Sequence, residues 1–144
     1  EVMWAGSLSH NGLTGCGTDG GDFMSHKIEH ELGGMFDVPH GAGLAVVHPN
    51  YMKYFCACAP ERYARYAVNV WGVDPSGKTA LEVAHEGVQC TRDFLNEIGA
   101  PATLTELGIP ESAIDDLAAR TDLSCWAYKE MTREDVKAIL RMAL

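Results

Sequence analysis

The sequence predicts an all-α protein, a compact multi-helix bundle, on three observations. Apolar residues recur at three- and four-residue spacing in several segments. No segment sustains the polar–apolar alternation of a half-buried strand, and Gly and Pro punctuate the chain so that only short connections remain. At 144 residues, 47% of them hydrophobic, the chain is the size of one domain and can bury a core.

Taken in order, EVMWAGSLSHNGLTG reads as a first helix ended by Gly12 and Gly15. No capping residue precedes it, so further sequence is expected upstream. GCGTDGGD follows as a glycine-rich turn, and Asp22 is placed to cap a helix from Phe23 to about Met35. Pro39 disfavours a helical Val38 and marks a break. GLAVVHPNYMKYFCACA then reads as a buried helix that Pro49 should kink or divide, since proline has no N–H to donate. Beyond Pro60, ERYARYAVNVWG is closed by Gly72. Ser76 is expected to cap the next helix, in which Leu81, Ala84, Val88, Phe94, Leu95 and Ile98 set the period and Gly99 and Pro101 the end. Short helices are expected at TLTELG and at PESAIDDLAAR, the latter with Pro110 in its first turn. Thr132 with Asp135 resembles a capping box ahead of VKAILRMAL.

A net charge of −9, from 11 basic and 20 acidic residues, argues against nucleic acid or an anionic membrane surface as partner. No apolar run approaches the roughly 20 residues that span a bilayer. Cys16, Cys56, Cys58, Cys90 and Cys125 are odd in number and scattered, which predicts free thiols in a reducing cytoplasm. Cys56 and Cys58 lie in Ala-rich surroundings that suggest a buried helix face.

The chemistry concentrates in HKIEHELGGMFDVPH, His26 to His40. On a helix, residues four apart share a face, so His26 and His30 can point the same way and form half of an imidazole metal site. His40 follows the break, where the chain could fold it back toward that helix, with Pro39 stiffening the return. Glu29 and Glu31 fall on other faces, solvated or supporting the cluster from behind. Three readings compete. HKIEH matches the H-x-x-E-H zinc peptidase pattern, with His26 and His30 as ligands, Glu29 as general base and a downstream acid such as Glu106. HELGGMF lacks the bulky apolar continuation expected of that class, however, and the chain has no strands for an α/β peptidase half. A non-catalytic helical interaction module would tolerate loss of the histidines.

The longer stretch HKIEHELGGMFDVPHGAGLAVVHPNYMKY resembles the signature of the iron-containing alcohol dehydrogenases, especially the butanol dehydrogenase-like branch. NGLTGCGTDGGDFMSH before it and GAPATLTELGIP after it are similar to that branch too. The resemblance implies the helical C-terminal domain of a dehydroquinate synthase-like fold. It implies that His26 and His40 are metal ligands for Fe2+ or Zn2+, and that His30 lies beside the nicotinamide and the substrate. It implies NAD or NADP, a small alcohol or aldehyde, and a homo-oligomer. The family's other two ligands, an aspartate and a histidine, and its dinucleotide-binding domain lie upstream of the region represented here. The 144-residue chain alone is therefore expected to bind metal weakly, to show no turnover and to expose apolar surface. His10 and His85 match no motif position, and His48 is expected to be structural. Where many members carry a Gly/Asn/Pro-rich segment this chain has DLSCWAYKEMT, so no role passes to Cys125 or Trp126.

Overall fold

The computed structural model describes residues 1–17, 21–125 and 127–144, in which there are seven α-helices and no strand. They are α1 (Val2–His10), α2 (Met24–Phe36), α3 (His40–Phe55), α4 (Pro60–Trp71), α5 (Ala80–Glu97), α6 (Ile114–Arg120) and α7 (Arg133–Arg141). The all-helical expectation holds. Most of the glycine-rich turn after Gly17, and Trp126, lie outside the described residues.

The core is built from helical ladders. Met24, Ile28 and Leu32 project from one face of α2, each fully buried, onto Val46, Val47, Tyr51 and Phe55 of α3. Val136, Ile139 and Leu140 of α7 and Leu117 of α6 close the other side, with Leu104 and Ile109 between them. Each fully buried Leu, Ile or Phe contributes about 1.5–3 kcal/mol. Phe55 is fully buried in this core. A smaller cluster joins Met52 and Cys56 to Tyr63 of α4 and to Ala84 and Val88 of α5. Cys56 is buried as expected, whereas Cys58 is exposed.

Several boundaries differ from expectation. The first helix stops at His10, and Leu13–Gly15 form a separate 3-10 turn. Asp22 does serve the start of α2, its Oδ1 accepting from the Met24 amide at 2.9 Å. α5 is capped not by Ser76 but by Thr79, whose side chain accepts from the Glu82 amide while Glu82 accepts from the Thr79 amide. Its buried face is Val83, Ala84, Gly87 and Val88; Leu81, Phe94 and Ile98 lie outside the core. TLTELG forms hydrogen-bonded turns, not a helix. Pro110 precedes a 3-10 turn, Glu111–Ala113, that leads into α6. The Thr132–Asp135 capping box is present at α7.

Pro49 does not divide α3. A proline there removes the N–H that would reach the Ala45 carbonyl one turn back. Arg92, from α5, donates Nη1 to that carbonyl at 3.0 Å and Nη2 to the Val46 carbonyl at 3.3 Å. The guanidinium thus satisfies the acceptor that the proline leaves open, and it ties α5 to α3 in doing so.

Candidate metal centre

α2 and α3 run into each other through a break of only Asp37, Val38 and Pro39. Asp37 takes the left-handed conformation, φ 54°, which Asp tolerates better than most residues. Its amide bonds back to the Gly33 carbonyl at 3.0 Å, ending α2. Pro39 supplies the fixed φ that starts α3, so His40 is the first helical residue. The reversal brings His40 back over the α2 face that carries His26 and His30.

The three imidazoles converge, with His40 in the middle. Its ring centroid lies 5.4 Å from that of His26 and 5.7 Å from that of His30, while His26 and His30 are 6.5 Å apart. Phe23 stacks on His26 at 4.1 Å and 13°, fixing that ring's plane. Burial first, and then the neighbouring His40, His48 and His30 rings, push the His26 imidazole below its ordinary value, so it is neutral at neutral pH. His30 and His40 face solvent.

Glu29 lies on the inner side of the cluster. It is 1% exposed, and its Oε2 meets His40 Nδ1. It is not solvated: it is the most buried charged-type residue of the helix, and its direct contact with His40 supports the cluster from behind. Glu31 is instead an outer residue, paired with Arg120 Nε at 3.2 Å. The Glu29–His40 contact leaves no local signal in the sequence, because the partners are 11 residues apart across the reversal. The one hint was Gly43. A Cβ there would sit 2.5 Å from Glu29 Oε1 and 2.7 Å from its Cγ, so the carboxyl occupies space that only glycine leaves free.

Two buried side-chain polar atoms among the described residues have no hydrogen-bond partner, His26 Nδ1 and Glu29 Oε1, and both belong to this cluster. Buried polar groups are nearly always paired, so two orphans in one place mark a cluster kept for something other than stability. Glu29, His30 and His40 also offer three potential ligand atoms within 4.8 Å of one another. The donor set of imidazoles and a carboxyl suits Fe2+ or Zn2+. The peptidase reading fares badly on the same geometry. Glu29 is buried against His40 instead of being presented to a water, and His40 turns into the cluster, not away from it.

The remaining histidines fall outside the trio, although His48 lines the same cleft as His26. His48 Nδ1 pairs with Ser25 Oγ at 3.2 Å, and its side chain borders an open, mostly apolar cleft of about 470 Å³ beside His26, Leu44, Trp71 and Phe94. His85 rests against Cys56 Sγ at 3.5 Å, and His10 ends α1. Glu106 caps its own turn through the Ala102 amide and plays no part in the cluster.

In this helical body the first two core helices present three converging histidines. Residues 17–144 match the Fe-containing alcohol dehydrogenase family, C-terminal, and the chain belongs to that family. It is 33% identical over 145 residues to probable NADH-dependent butanol dehydrogenase 1 of Bacillus subtilis, covering 99% of this chain and 37% of that protein. It is 41% identical over 120 residues to NADH-dependent butanol dehydrogenase B of Clostridium acetobutylicum, covering 82% and 30%. The crystal structure of NADH-dependent butanol dehydrogenase A from Thermotoga maritima superposes with a TM-score of 0.89 at 33% identity, over 97% of this chain and 37% of that one. The chain thus spans about a third of the length of these relatives. Among the described residues no helix is long and apolar enough to cross a membrane.

Proposed function

We propose that this domain supplies the histidine half of a divalent metal centre in an NAD(P)-dependent alcohol dehydrogenase or aldehyde reductase acting on a small alcohol or aldehyde. The observation that carries the reading is the convergence of His26 and His30 with His40 beside two orphaned buried atoms. His26 and His40 would hold the ion, Fe2+ or Zn2+, through neutral imidazole nitrogens. When bound, the ion supplies Lewis acidity toward the oxygen of the alcohol or aldehyde during hydride transfer with the nicotinamide. His30, solvent-facing at the edge of the cluster, orients the substrate and passes the alcohol proton, an imidazole being able to take it at one nitrogen and release it at the other. The nicotinamide-binding domain and the remaining ligands belong to the rest of such an enzyme, so the chain alone is expected to show no NAD(P)-dependent turnover.

Calorimetric titration with Zn2+ tests the ligand assignment. His26→Ala and His40→Ala should each weaken binding about 10-fold or more, while His30→Ala should bind nearly as the parent. Equal losses in His26→Ala and His30→Ala with His40→Ala unaffected would return the site to the peptidase pattern. Indifference of all three would leave a helical scaffold.

A further inference from the structure

We infer that Glu29 is a positioning residue for the centre, a buried carboxyl that sets the tautomer and ring orientation of His40, with Gly43 kept free of a side chain to admit it. The inference rests on the proposed metal-holding role of His40 and goes beyond it.

Three observations carry it. The Glu29 side chain is 1% exposed while that of His40 is 54% exposed, so the buried partner grips the exposed one from its inner edge. The contact is made through His40 Nδ1, which accounts for one ring nitrogen and leaves Nε2 on the opposite side of the ring. An imidazole that donates Nδ1–H to a carboxyl has its free lone pair on Nε2, and metal-bound histidines are commonly oriented in this way by a carboxyl or carbonyl behind them. Finally, Glu29 Oε1 has no partner. A residue retained for stability would satisfy both oxygens, since a half-paired buried carboxyl is a net cost to folding. The space around it is reserved as well: Gly43 lies on α3 one turn beyond His40, and a Cβ there would overlap Oε1, Cγ and Cδ of Glu29 at 2.5, 2.7 and 3.0 Å.

Glu29→Met fills a similar volume without polar atoms. A structural role and a positioning role then predict opposite outcomes. If Glu29 positions His40, the metal-free Glu29→Met chain should melt at or above the temperature of the parent. Its Zn2+ affinity should nonetheless fall about 10- to 100-fold. Glu29→Gln keeps an acceptor oxygen near Nδ1 and should recover most of that loss. Gly43→Ala should weaken Zn2+ binding in the parent, because its Cβ would displace the carboxyl that holds His40.

The tautomer is read separately, by nitrogen-15 shifts of His40 in the metal-free chain. Nδ1 should be the protonated nitrogen in the parent and in Glu29→Gln, with the preference lost in Glu29→Met. This arm needs no metal, so it judges the Glu29–His40 assignment even if the ligand roles of His26 and His40 fail. Protonated Nε2 in the parent, or parental Zn2+ affinity in Glu29→Met, would overturn the inference. So would a Glu29→Gln loss as large as that of Glu29→Met, which would make Glu29 a ligand.

Discussion

Asp135 and Glu29 are both buried acids, and their surroundings divide them by purpose. Asp135 is fully engaged: it accepts from Tyr54 Oη at 2.5 Å, Lys129 Nζ at 2.5 Å, the Thr132 amide at 2.9 Å and Thr132 Oγ1 at 2.7 Å. Burial alone would raise its pKa, but the hydrogen bonds from Lys129, Tyr54 and Thr132 outweigh it and hold the carboxyl well below the usual range. A depressed folded-state pKa stabilises the fold above the unfolded value, about 4, and that stabilisation is lost as pH falls through the folded value. Asp135→Asn should therefore lower stability at pH 7 by about 1–3 kcal/mol in urea melts, with the deficit shrinking in strong acid. A deficit independent of pH would refute that account. The sequence announced Asp135 because a capping box is local, its two members three residues apart. It did not announce the partner of Glu29, since that contact needs the reversal at Asp37–Pro39 and the bare backbone at Gly43. The histidines themselves were legible because His26 and His30 share a helical face, whatever the tertiary fold.

Helices were easier to find than to orient. The period in α5 was read correctly, and Ala84 and Val88 do lie on its buried face, but α5 turns Gly87 toward α4 and leaves Phe94 46% and Ile98 60% exposed. A Cβ on Gly87 would lie 2.4 Å from Ala67 Cβ and 2.9 Å from Ala67 Cα, so the two helices meet nearly backbone to backbone. Gly87→Ala should gain up to about 1 kcal/mol of helix propensity and lose more to overpacking. A net destabilisation of about 1–2 kcal/mol in urea melts is expected, and a stabilised variant would show that the helices can separate at no cost. The cap of α5 was misplaced for a related reason. Ser76 and Thr79 are both able to cap, but only Thr79 has a Glu three residues on, whereas the Ser76 amide is held by Asp74 Oδ1 at 3.0 Å. TLTELG failed as a helix since its amides close short turns, and Leu104 donates instead to the Ala143 carbonyl at 2.7 Å.

Across the whole molecule, the apolar surface is uneven. No residue of α1 is buried, and Trp4 is 69% exposed, so this helix adds nothing to the core. Together with Phe94 and Ile98 it presents apolar side chains to water, and the chain should self-associate as its concentration rises. Sedimentation velocity should show a weight-average coefficient that climbs with loading; a single monomer boundary throughout would contradict this. Pro49 and Arg92 are joined through a carbonyl that belongs to neither of them. Losing Arg92 first strands the Ala45 oxygen, whereas replacing Pro49 first restores an amide and leaves the arginine expendable. The two positions are therefore bound to a one-way order of change, and a lineage that has kept the proline inherits the arginine as an obligation.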